Sequence, residues 1–150
     1  PQAGIIVGTR ELVGRLKAHP AARALRIPGP TIASLATTLE LYLDDRATEI
    51  PFWRMAAAAE ADLAERAKRL AERSGGTVET SASSVGGGSV PGSEIPGPVV
   101  VLPDAERRWL ALLGGDRPIL ARRSEGRLVV DPRTIDPADD DLVAERLART

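Results

Sequence analysis

The chain has 150 residues, 43% of them hydrophobic and 27% charged, with no cysteine and only 3% aromatic residues. Such a composition supports one packed, largely aliphatic core, excludes disulfide frameworks and thiolate metal sites, and fits a reducing compartment such as the cytoplasm; no apolar run is long enough to cross a membrane. Twenty basic residues against 21 acidic ones give a net charge of −1, unlike a stand-alone nucleic-acid binder, which carries a basic stripe.

In chain order, Ala3 to Val7 predicts a strand buried on both faces, because its apolar character is continuous. Arg10 to Ala18 predicts a helix with Leu12, Val13 and Leu16 on one face, ended at His19-Pro20 because proline disfavours helical backbone before it. Arg10, Arg15, Lys17, His19, Arg23 and Arg26 face a single acid, Glu11, so this segment is a basic cluster able to meet phosphate. After Pro28-Gly29-Pro30, with Thr31 as the expected N-cap, Ile32, Leu35, Ala36, Leu39, Tyr42 and Leu43 recur at the spacing of one helical face. Ile50 to Met55 reads equally as an extended crossing or a helix entry.

Ala57 to Arg73 predicts a helix with Leu63, Ala67 and Leu70 in register, stopped by Gly75-Gly76. Thr77 to Ser81 and Pro98 to Leu102 predict strands, and Ile119 to Arg123 with Arg127 to Asp131 predict a hairpin around Ser124-Glu125-Gly126. Asp104 to Leu113 predicts a helix capped by Asp104, closed by Gly114-Gly115. A last helix has Asp136 as N-cap, Pro137 first, Asp139 to Asp141 in its first turn and Arg146 and Arg149 near its end, in keeping with the helix dipole. Four strands and three helices predict a two-layer α/β domain.

Five strings, Pro1 to Gly8, Arg23-Ala24-Leu25-Arg26, Thr31 to Tyr42, Val85 to Gly92 and Gly126 to Asp131, occur in the order of a known family. The chain thereby resembles the bacterial L-seryl-tRNA(Sec) selenium transferases, pyridoxal-phosphate enzymes of fold type I. The resemblance implies an α/β fold: a C-terminal small domain over 31–150, including a linking helix, with a small, mostly antiparallel sheet and helices on one face, preceded by a large-domain remnant over 1–30. It implies seryl-tRNA(Sec) and selenophosphate as substrates, a homo-oligomer and a cytoplasmic location. It also implies a Schiff-base lysine a few residues upstream of Pro1, so that the large and N-terminal domains and covalent cofactor attachment lie outside this chain and the isolated chain is inactive.

Arg23 and Arg26 are the implied catalytic residues. Their spacing alone fits solvated helix-end arginines; the resemblance places them near the cofactor and the anionic selenium donor, where a guanidinium offers paired donors to phosphate-like oxygens. Gln2 and the loop Gly86, Gly87, Gly88 and Ser89 are the implied cofactor-facing positions. The Ser/Gly/Pro content of 81–97 fits a flexible connector equally well. Lys17 and Lys68 lie on polar helix faces and suit solvation. His19 reads as structural, with the helix dipole favouring its protonated form. Asp139 to Asp141 lack the alternating spacing of a calcium loop, and no metal is assigned. Pro28-Gly29 stands where the family usually has Asp-Lys, and Ala121 and Pro132 also differ from the family pattern. A related pyridoxal-phosphate lyase acting on a small amino acid or amino sugar, or a non-catalytic oligomerisation or binding module, therefore remains an alternative.

Overall fold

A computed structural model describes residues 1–86 and 92–150. By packing, the chain divides into two compact units, Pro1–Trp53 and Arg54–Thr150. The 1–30 and 31–150 partition refers instead to the domains of the resembled family.

In the first unit, Ala3 to Val7 is irregular and not a strand, with Ile5 63%, Ile6 69% and Val7 90% exposed. The expected strand is corrected on a physical ground: apolar content cannot form a strand unless a neighbouring backbone takes its N–H and C=O groups. Helix α1, Arg10–Ala18, is capped by Thr9, whose Oγ1 accepts from the Leu12 N–H at 3.4 Å. A 3-10 turn, Pro20–Arg23, follows at once. Helix α2, Gly29–Leu43, starts two residues before the expected Thr31 cap. Pro28 is the N-cap, and its carbonyl accepts from Thr31 and Ile32, while Pro30 lies where no N–H is required. The helix ends with Asp45 left-handed (φ 57°) and the Arg46 N–H on the Leu41 carbonyl at 2.8 Å. Ile32, Leu39, Tyr42 and Leu43 of its predicted apolar face remain exposed. Ile50 to Met55 resolves as a short helix, α3, Pro51–Ala56, within which the boundary between the two units falls.

The second unit carries the core. Helix α4, Glu60–Ser74, begins three residues later than expected and stops at Gly75, which is left-handed (φ 72°). Gly76 then lets the chain pass close to the sheet: a Cβ there would lie 2.8 Å from Val100 Cγ1 and 3.0 Å from the Val101 carbonyl oxygen. Strands β1, Thr77–Ser84, and β2, Glu94–Leu102, are longer than expected and pair antiparallel from Thr77↔Val101 to Ser84↔Glu94. Helix α5, Ala105–Leu113, follows. Asp104 occupies its N-cap position but makes no capping bond, because its left-handed backbone (φ 55°) departs from the extended geometry a cap needs. Strands β3, Arg122–Ser124, and β4, Arg127–Val130, form the hairpin, shorter than expected, with Glu125 and Gly126 at positive φ as a two-residue turn requires. Asp136 caps a 3-10 turn, Pro137–Asp139, and helix α6, Asp140–Ala148, continues from it.

The sheet order is β1-β2-β4-β3, with antiparallel pairing at each junction. Val100, Leu102, Leu128 and Val130 meet Leu70 of α4, Leu112 of α5 and Leu147 of α6 on one face. Val99, Val101 and Val129 are buried on the opposite face. There Arg127 of β4 reaches Glu79 of β1 at 2.9 Å, and Arg122 of β3 reaches the Ser81 hydroxyl of β1 at 2.6 Å. These side chains span the middle strands, so their alkyl stems shield the valines while the charged ends stay wet. The result is an α/β unit with a four-stranded antiparallel sheet. Among the described residues no helix is long and apolar enough to cross a membrane.

Candidate anion-binding site

The candidate site lies within the first unit, where α1 hands over to the 3-10 turn. His19 closes α1 by donating its backbone N–H to the Leu16 carbonyl at 3.1 Å, and its extended backbone (φ −68°, ψ 135°) suits the residue before a proline. Pro20 opens the turn without needing a donor, and the Ala22 N–H bonds the His19 carbonyl at 2.9 Å. Arg23 is the last residue of the turn, and Arg26 follows one short loop later.

Lys17, His19, Arg23 and Arg26 line one open cavity of about 830 Å³, together with small and aliphatic residues such as Gly4 and Ala22. The described lining therefore holds three basic side chains, Lys17, Arg23 and Arg26, beside His19, and no carboxylate. Arg23 and Arg26 are both exposed, and among the described residues neither guanidinium has an ion-pair or hydrogen-bond partner. The donor set suits a phosphate-like anion, since paired guanidinium donors match its oxygens and Lys17 adds a point charge. Of the basic cluster seen in the sequence, Arg10 and Arg15 are not among the lining residues.

The arginines of the second unit behave differently. Arg66 donates to both oxygens of Asp140 at 2.8 and 2.7 Å and to the Ile135 carbonyl at 2.9 Å. Hydrogen bonding to Asp140 raises its basicity above the ordinary value, outweighing the opposing effect of burial. Arg73 pairs with Asp141 and Arg117 with Asp139. The three adjacent acids thus each hold an arginine, tying α6 and the preceding turn to other elements. Arg133 donates to the Met55 and Pro96 carbonyls and occupies the space a Gly97 side chain would take, its Nη2 lying 2.7 Å from where that Cβ would be. Arg146 donates to the Ala111, Leu112 and Gly114 carbonyls, gathering the end of α5. These guanidiniums hold the fold together.

Gln2 is exposed and does not line the cavity. Gly86 belongs to the second unit, with φ 128° and its N–H on Ser84 Oγ at 3.4 Å. Gly87, Gly88 and Ser89 lie outside the described residues. Lys68 is exposed on α4. His19 has a local structural contact: its Nδ1 accepts from the Ala21 N–H at 3.2 Å. The HP dipeptide ahead of a short turn was the available signal for this role.

The family model for L-seryl-tRNA selenium transferase (SelA) matches residues 1–136. The chain is 38% identical to the L-seryl-tRNA(Sec) selenium transferase of Geobacter metallireducens over 162 residues, covering 99% of this chain and 35% of that protein. It is 40% identical to the enzyme of that name from Nitratidesulfovibrio vulgaris, covering 98% of this chain and 34% of the relative. With the Moorella thermoacetica enzyme of the same name the identity is 37%, over 99% of this chain and 35% of the relative. The chain thus spans about a third of the length of these curated relatives.

Proposed function

The chain belongs to the L-seryl-tRNA selenium transferase family, and on that premise we propose that it forms the C-terminal part of a pyridoxal-phosphate-dependent enzyme converting seryl-tRNA(Sec) to selenocysteinyl-tRNA(Sec) with selenophosphate. The observation that carries the reading is the pair Arg23 and Arg26, without partners among the described residues and lining one cation-rich cavity. Their role is to bind the anionic selenium donor or the cofactor phosphate and to fix its orientation, with Lys17 contributing charge. Bound pyridoxal phosphate would supply the electron sink for removal of the seryl Cα proton and departure of the hydroxyl. The Schiff-base lysine is assigned to the part of the enzyme outside this chain, because Lys17 and Lys68 are both exposed on helices and lack the burial that makes a lysine amine nucleophilic. In this reading residues 1–30 belong to the large domain and 31–150 to the small domain. On the same reading Gln2, Gly86, Gly87, Gly88 and Ser89 are cofactor-binding positions of the complete enzyme, a cytoplasmic homo-oligomer.

A second reading is favoured by Pro28-Gly29. Pro28 caps α2 and Gly29 opens it, so the helix begins where the family usually has a charged Asp-Lys pair. A related pyridoxal-phosphate lyase acting on a small amino acid or amino sugar would tolerate that loss. The test is to supply the complete enzyme with seryl-tRNA(Sec) and labelled selenophosphate, or with free amino acids and amino sugars. Label appearing in selenocysteinyl-tRNA supports the transferase; turnover of the small substrates alone selects the lyase.

A further inference from the structure

Among the described residues, His19 is the first of three that use one device. In Asp131-Pro132 and Asp136-Pro137 the aspartate precedes a proline that opens a 3-10 turn, and its carboxylate accepts the N–H two residues on, from Arg133 at 2.9 Å and from Ala138 at 3.1 Å. His19-Pro20 repeats the geometry, with Nδ1 accepting from the Ala21 N–H at 3.2 Å. The local job is the same, yet the chemistry differs in one respect: the imidazole caps without a negative charge. That difference falls where it matters, since His19 lines the same cavity as Lys17, Arg23 and Arg26. An aspartate there would set a carboxylate among the three cations and compete with an incoming anion.

We propose that His19 is a positioning residue that holds the turn bearing Arg23 through an acceptor that brings no negative charge, keeping the cavity free of carboxylates. The inference rests on the reading of Arg23 and Arg26 as anion ligands. It follows that the side chain at 19 must satisfy two demands, accepting the Ala21 N–H and adding no negative charge. Asparagine meets both, since its side-chain carbonyl reaches the same N–H. Aspartate meets only the first, and alanine only the second.

The test is titration of the full 150-residue chain and its His19→Asn, His19→Asp and His19→Ala variants with inorganic phosphate, followed by NMR, with Ala21 amide exchange read in the same samples. H19N should bind phosphate like the unsubstituted chain. H19A should speed Ala21 exchange and weaken binding by roughly two- to thirtyfold, the equilibrium equivalent of one lost cap. H19D should keep Ala21 protected yet weaken binding on the order of tenfold, as a unit charge a few ångströms from the anion requires. Unchanged affinity in H19A, or equal affinities in H19D and H19N, would overturn the proposal while leaving the arginine site standing. No phosphate binding by the unsubstituted chain would overturn the anion-site reading and this role with it.

Discussion

Replacing Asp140 with asparagine should destabilise the Arg54–Thr150 unit by roughly 2–4 kcal/mol, and the structure supplies the reasons. Arg66 and Asp140 side chains are only 11% and 19% exposed, and two charge-assisted hydrogen bonds join them. An asparagine can accept one of these, but its amide then presents donors to the donors of Arg66, leaving a poorly solvated guanidinium with the Ile135 carbonyl as its other partner. Breaking a fully buried pair costs about 3–5 kcal/mol and an exposed one about 0–1; this pair lies nearer the buried limit. For a unit of this size, about 1 kcal/mol corresponds to a shift of roughly 4–8 °C, so Tm should fall by roughly 8–32 °C. Thermal unfolding followed by circular dichroism measures it. Asp141→Asn is the internal control: it sits in the Arg73 pair, whose acid is 93% exposed, and should cost under about 1 kcal/mol. Equal shifts in the two variants would refute the claim that burial of the Arg66 pair ties α6 to α4.

Gly76→Ala should cost about 1–3 kcal/mol in urea unfolding, because its Cβ would overlap Val100 and the β2 backbone; a neutral result would mean that β2 yields easily. The Glu49 carboxyl, hydrogen-bonded to Arg46 at 2.7 Å, titrates below the ordinary carboxylate value, chiefly through that bond. Its small stabilising effect is therefore present above the unfolded-state pKa and fades as pH falls through the lowered folded-state value. NMR titration should show the lowered midpoint, and Arg46→Ala should return it towards the ordinary one. Borohydride reduction of the chain with pyridoxal phosphate should leave no stoichiometric adduct on Lys17 or Lys68 in mass spectra, whereas a single fully labelled lysine would contradict the reading of both as solvated.

What the sequence revealed was local. Leu63, Ala67 and Leu70 recur at helical spacing and do face the core, and Ser124-Glu125-Gly126 marked a turn whose positive φ angles the structure contains. Strand pairing is not local, and there the reading erred in both directions. Ala3 to Val7 has strand-like composition but is irregular, while β2 extends back through Pro96 and Pro98, because that stretch pairs with β1 alone, β4 meeting only Val100 to Leu102, and its open side tolerates residues that lack an N–H. The arginines of the second unit were equally illegible: nothing along the chain says that Arg122 and Arg127 will lie across valines, or that Arg133 will fill the space beside Gly97. At the candidate site, the basic cluster was visible, but only folding separates Lys17, His19, Arg23 and Arg26 from Arg10 and Arg15. The contact His19 makes was not legible from the helix it ends, because the N–H its ring accepts belongs to the next turn.

The most direct test of the account is steady-state kinetics of the complete enzyme carrying Arg23→Ala or Arg26→Ala, with selenophosphate varied and selenocysteinyl-tRNA measured. Losing one charged hydrogen-bonding partner costs about 1.5–3 kcal/mol, so each variant should lose roughly ten- to a hundredfold in kcat/KM, with thermal unfolding unchanged because neither side chain has a partner among the described residues. Kinetics identical to the unsubstituted enzyme in both variants would contradict the assignment of this cavity as the anion site.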